Sequence, residues 1–353
     1  MWFCWRVLVQ CDCCAACAMA AELAVFILFF STEWPPWFPL TLHSMAGPNL
    51  DTTNFFLLGN MQLPTPHPPN VRAIQLTWEA FQERIRQRLG VQDVAGVRYV
   101  CANCTYYMSD GATREQRAAE DGARKRGTLI HHEWKPNDMK PFAAFLFPEL
   151  VSGHRWWAWS DVDVLFGPLL PALSRAAPAV SVVCPLAPNP WGVASWGPFT
   201  AFRVSHNTSE LFRFSTRWRA VLADPKPMQF DEWWGTPPHR WRMSQVLGKL
   251  ARRGRIALSA ERQNVGEARG CAGCDWCPCG AVSFEWRSAG GLRVNGGGEA
   301  VVLLHLATGK ATWKGAVVPP FDPAAGCVRG RVGDAPVLEE GMLRLVRNRP
   351  PAK

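Results

Sequence analysis

Along the first third of the chain, apolar runs of strand length alternate with stretches that are apolar on one helical face. LAVFILFF (23–30) is a continuous apolar run that ends ahead of a Pro-rich turn at 34–37, and it reads as the first core strand. A short helix is expected at 38–45. TNFFLL (53–58), closed by Gly59-Asn60, reads as a second strand; a Pro-rich loop at 63–69 and a third strand at 71–76 follow. Thr77 stands where it would cap a helix running to Leu89, with Trp78, Phe81, Ile85 and Leu89 on one face and charges opposite. Strands alternating with helices predict an α/β fold. Its central sheet is mostly parallel and flanked by helices, and ligands lie at the carboxyl ends of the strands.

Further on, residues 92–137 are polar and charged and read as a surface insertion. DMKPFAAFLFPEL (138–150) is amphipathic. WWAWSDVDVLFGPLL (156–170) reads as a short buried strand broken by Gly167-Pro168. Helices are expected at 209–223 and, strongly basic, at 240–253. A second insertion near 262–282 leads to a hairpin joining 283–286 to 301–306 across a Gly-Gly turn. A Pro/Gly-punctuated tail from 319 carries one short helix near 338–346. The expected organisation is one domain over 22–318, a tail at 319–353, and a leader or disordered tail at 1–21. Asp12 and Glu22 interrupt the apolar N-terminal run, so it lacks the ~20 uncharged residues of a membrane span. A signal peptide or anchor, and membrane association through this end, stay open.

With 48% hydrophobic and 19% charged residues, the 353-residue chain can fill a globular core and is not disordered. Its eighteen Trp suit either a core or a carbohydrate-facing surface, with the core the plainer reading. The formal charge of +9 owes much to Arg240, Arg242, Lys249, Arg252, Arg253 and Arg255. Such a balance suits phosphate-bearing or anionic partners. No basic run is interleaved with aromatics, which argues against nucleic acid. Thirteen Cys include Cys271, Cys274, Cys277 and Cys279, spaced for a structural Zn2+ or for disulfides stapling a loop, the latter favoured. The Cys content and the sequons at Asn103 and Asn207 favour the secretory pathway or Golgi lumen, with a cytoplasmic location still open.

The chemistry gathers at Asp161-Val162-Asp163. Carboxylates at i and i+2 of an apolar strand are costly to bury unless a positive partner meets them, and a hard divalent cation shared with a phosphate would do so. Solvated aspartates at a strand end are the plainer reading for a bare triplet.

Several segments in order carry a resemblance: PPWFPL (35–40), PNV (69–71), WEAFQERIRQRLG (78–90), DMKP (138–141), WSDVDVLFG (159–167), GPFTAFR (197–203), FDEW (230–233) and LLHLATGK (303–310). Together they resemble a family of GT-A-fold, DxD-containing glycosyltransferases from bacterial polysaccharide clusters, with algal homologues. The resemblance implies a nucleotide-sugar donor bound through Mn2+ (or Mg2+), and a glycan or other hydroxyl acceptor. It implies Asp161, Asp163 and His305 as metal ligands, with Asp161 also meeting the ribose. Ser31 and Thr32 would approach the base, Lys310 the diphosphate, and Lys140 would stand near the donor. Asp231 and Glu232 would face the acceptor as catalytic groups. Read without the resemblance, His305 is a core histidine, Lys140 a surface charge on an amphipathic segment, and Asp231-Glu232 the start of a helix. A non-catalytic nucleotide-sugar or glycan binder on the same fold is the alternative. A metal-dependent phosphoryl hydrolase fits less well, since no phosphate-cradling Gly loop is present.

Overall fold

The computed structural model describes residues 21–31, 33–35, 37–95, 135–185, 194–225, 227–232, 240–259, 265–267, 283–287, 291–294, 302–305, 327–331, 335–339 and 342–346. Its centre is a six-stranded sheet built on β1 (Leu23–Leu28), all six residues of which are buried. β1 pairs in parallel with β2 (Thr53–Gly59) on one side and β4 (Trp156–Ser160) on the other; Val25 lies beside Phe55 and Ala158. β3 (Val71–Gln75) extends the parallel set beyond β2. On the far side β7 (Phe199–Arg203) runs antiparallel to β4, and β6 (Val182–Val183) closes the edge. The order is therefore β3-β2-β1-β4-β7-β6, mixed α/β and mostly parallel.

The period of two divides the apolar residues between two layers. Ala24, Phe26 and Leu28 join Phe56, Trp157, Trp159 and Phe202 beneath α2 (Trp78–Leu89). Leu23, Val25 and Ile27 join Phe55, Trp156 and Ala158 beneath α1 (Phe38–Met45). Both faces of β1, β2 and β4 are covered, so these strands read as apolar runs rather than as alternation. The Trp side chains of 78, 156, 157, 159 and 196 are fully buried, which assigns them to the core. α2 begins where expected: Thr77 Oγ1 accepts from the Ala80 amide at 3.1 Å, and Gly90, at φ 63°, ends it in the left-handed conformation.

Several expected elements fold differently. Residues 156–166 are two strands, not one: β4 ends at Ser160, the two aspartates occupy the break, and β5 (Val164–Phe166) enters a second sheet. The segment 138–150 is not an amphipathic surface helix. It is a 3-10 helix, Lys135–Phe142, followed by two single turns, α3 (Ala143–Leu146) and α4 (Pro148–Val151), and Pro141 and Pro148 prevent one continuous helix. After α5 (Leu169–Ser174), the helix expected at 209–223 divides into a 3-10 turn at Thr208–Phe214 and α6 (Trp218–Ala223). The basic helix is α7 (Met243–Arg252).

β8 (Val265–Glu267) precedes a hairpin whose partner is the segment next to it. β9 (Ser283–Arg287) pairs with β10 (Gly291–Val294), the shortest closure available. β11 (Leu303–His305), expected in that hairpin, instead lies between β5 and β8. The helix expected near 338–346 is a pair of strands, β13 (Ala335–Glu339) and β14 (Met342–Val346); with β9, β10 and β12 (Cys327–Arg331) they make a five-stranded sheet. Gly341, between the two segments in sequence, interrupts the helical period there. Among the described residues no helix is long and apolar enough to cross a membrane.

Candidate metal and transfer site

The site forms at the carboxyl end of β4, where the chain leaves the central sheet. Asp161 follows the last residue of that strand and Asp163 precedes β5, so the three-residue break carries both carboxylates. The break is fixed from three sides. Thr41 Oγ1 on α1 donates to Val162 O at 3.0 Å, Ser160 Oγ donates to Pro198 O at 2.7 Å, and the Trp159 indole donates to Trp196 O at 3.1 Å.

His305 arrives through β-pairing. β11 runs antiparallel to β5 with His305 opposite Val164, which sets the imidazole beside Asp163, Nε2 to Oδ2 at 3.6 Å. The edge of its ring meets the Trp196 indole, centroids 5.8 Å apart. One ligand atom from each of Asp161, Asp163 and His305 lies within 4.8 Å of the other two. Two carboxylate oxygens and an imidazole nitrogen suit Mn2+ or Mg2+, and no thiolate competes among the three.

The opposite wall is built by the 3-10 helix Lys135–Phe142. Lys140 is fully buried, not a surface charge. Its ammonium donates to Asp161, to Asp231 Oδ2 at 2.8 Å and to Gly197 O at 3.1 Å, so its three N–H groups have three acceptors. Burial alone would lower its pKa, but the carboxylates of Asp161 and Asp231 outweigh that and hold the ammonium above the usual lysine range.

One turn earlier, Asp138 accepts the amides of Met228 (2.7 Å) and Phe230 (2.8 Å), and Lys135 Nζ closes on it at 2.9 Å. The approach to Asp231 is thus clamped from its backbone by Asp138 and from its side chain by Lys140. Sequence reasoning gave Lys135 and Asp138 no role, although Asp138 opens the DMKP segment.

Asp231 and Glu232 sit in different surroundings. Asp231 is 1% exposed, and its Oδ1 has no hydrogen-bond partner. Burial pushes its pKa up to about 6, against the pull of Lys140. Glu232 is half-buried, and its side chain lies against the Gly197 backbone so closely that a Cβ there would stand 2.6 Å from Glu232 Cγ and Oε1. Burial, then the charges of Asp231 and Asp161, push the Glu232 pKa up to about 8. The charges of Lys140 and His305 oppose that rise.

Among the other expected site residues, Ser31 lies just past β1, its amide and carbonyl both bonded to the Asn60 side chain at 3.0 and 2.8 Å. Thr32, Lys310, Cys271, Cys274, Cys277 and Cys279 fall outside the described residues.

A family model described as a family of unknown function, DUF6625, matches residues 123–246. Comparison with curated protein sequences finds no match. Among solved structures, the chain is similar to the galactosyltransferase LgtC in complex with donor and acceptor sugar analogs, at 9% identity and TM-score 0.34, covering 69% of this chain and 75% of that one. It is similar to mouse xyloside xylosyltransferase 1 in its apo form, at 9% identity and TM-score 0.39, covering 80% and 97%. It is also similar to a glycosyltransferase involved in glycosylation of the major capsid of PBCV-1, at 10% identity and TM-score 0.29, covering 69% and 84%.

Proposed function

We propose that this chain is a metal-dependent glycosyltransferase of GT-A type, moving a sugar from a nucleotide-sugar donor to a glycan or other hydroxyl acceptor. The observation that carries the reading is the convergence of Asp161, Asp163 and His305 at the end of a central parallel strand, from segments far apart in sequence. Such strand ends are where open α/β sheets take their ligands. A divalent cation held there would supply fixed positive charge against a departing nucleoside diphosphate. Asp163 and His305 would grip the ion, and Asp161, oriented by Lys140, would complete the set. Ser31, at the end of β1, and Thr32 would border the base. Lys310 would approach the diphosphate.

A panel of nucleotide-sugars, with and without Mn2+, tests this by thermal shift and by product formation. A ligand that binds only the folded state raises its melting temperature. The reading expects one donor to raise Tm only when Mn2+ is present, and sugar transfer or donor hydrolysis to be lost in Asp163→Ala. Glycan binding that survives both EDTA and that substitution, without turnover, would favour the non-catalytic binder instead.

A further inference from the structure

Asp231 and Glu232 are adjacent carboxylates at the same site, yet their surroundings give them different tasks. Asp231 is sealed: one oxygen receives the Lys140 ammonium at 2.8 Å, and the other is buried out of reach of solvent. A group that no solvent molecule can touch cannot meet an acceptor hydroxyl. Through Lys140 it is tied instead to Asp161 and to Gly197 O, which joins the acceptor-side segment to the metal-side strand end. Glu232 is half-buried, and among the described residues no donor bonds its carboxylate. It rests on Gly197, the one residue type there that leaves it room.

We propose that Glu232 is the catalytic carboxylate of this site and that Asp231 is a positioning residue, a buried strut formed with Lys140. This rests on the transferase reading given above. In the step it serves, the acceptor hydroxyl gives its proton to a Glu232 carboxylate oxygen. The hydroxyl oxygen bonds to the anomeric carbon, and that carbon's bond to the diphosphate oxygen breaks, its electron pair leaving with the nucleoside diphosphate. A carboxylate with raised proton affinity is suited to that task near neutral pH.

An unpaired carboxylate kept at a site for its chemistry costs stability, whereas a strut provides it. Glu232→Gln, Asp231→Asn and Lys140→Met in the full chain separate the two. Expected for Glu232→Gln at pH 8.5 without metal is a Tm higher by about 2 °C or more. Its Mn2+ affinity stays within about threefold, and transfer falls by about 100-fold or more. Asp231→Asn lowers Tm and weakens Mn2+ binding, because Asp161 loses its orienting partner's partner; Lys140→Met does the same if it folds. A Glu232→Gln protein that loses Tm as Asp231→Asn does, or that keeps its transfer rate, overturns the proposal. Wild-type protein that neither binds Mn2+ nor turns over a donor sinks the transferase reading itself, and the order of the Tm values still decides whether Glu232 is a strut.

Discussion

The imidazole of His305 stands 3.6 Å from the Asp163 carboxylate, Nε2 to Oδ2, because β11 lies between β5 and β8 rather than closing a hairpin with β9. That pairing joins the C-terminal part of the chain to the aspartate pair. His305→Ala removes one of the three proposed ligands. It is expected to weaken Mn2+ binding by at least the roughly 10–100-fold that is lost when only a hydrogen-bond partner of a ligand is changed. Isothermal titration with Mn2+ checks this; unchanged affinity would remove His305 from the metal set.

Glu232 makes stability depend on pH in a definite sense. Its pKa rises from 4.5 in the unfolded chain to about 8 in the fold, pushed up by burial and by Asp231 and Asp161 against Lys140 and His305, with Arg242 also facing it. Between those values the folded state holds a proton that the unfolded state has released. Stability from this group is therefore complete below about pH 4.5 and is lost as pH rises through about 8. Urea midpoints of the metal-free protein between pH 6 and 9 are expected to fall with pH in the wild type and to fall less in Glu232→Gln. Parallel slopes would contradict the assignment.

Gly197 leaves the space that the Glu232 side chain fills. Gly197→Ala would put a Cβ 2.6 Å from Glu232 Cγ and Oε1, so the carboxylate must move. The expected result is a fall in transfer rate with Mn2+ affinity kept, measured by steady-state kinetics beside titration. Full activity would show that Glu232 is not held where it acts.

Asp138 binds the Met228 and Phe230 amides as well as the Lys135 ammonium. Asp138→Ala removes a buried carboxylate from beside a buried cation, a change that costs about 3–5 kcal/mol. Chemical denaturation is expected to show a loss of that size. A loss under about 1 kcal/mol would mean the segment before Asp231 is held by other contacts.

Gly59 ends β2 against the chain leaving β1. A Cβ there would lie 1.8 Å from Phe29 O, a backbone atom that cannot swing aside. Gly59→Ala is expected to cost about 1–3 kcal/mol, the range for overpacking, by the same measurement. A neutral outcome would place the end of β1 elsewhere.

β1, β2 and β4 were legible because they are buried on both faces, as a run such as LAVFILFF requires, whereas β6 and β7 were not read as strands. Thr77 and Gly90 marked the ends of α2 through backbone bonds that reach no further than a few residues. The two aspartates could be read as candidates from cost alone: carboxylates amid Trp and Leu need a reason to be there. All of this is local or compositional, and local physics is what a sequence carries in plain view.

What the tertiary structure decided was partnership. Lys140 looked like a charge on a surface helix until three acceptors were found around its buried ammonium, none nearer than twenty residues in the chain. β11 suited a hairpin equally well by pattern, and the edges of β5 and β8 selected its place. Asp231 and Glu232 are chemically alike and adjacent, so nothing in their order separates them. The difference, one carboxylate sealed on a lysine and the other left against a glycine, exists only once β7, the 3-10 helix and the segment before Asp231 have packed, because burial is a property of neighbours and not of the residue.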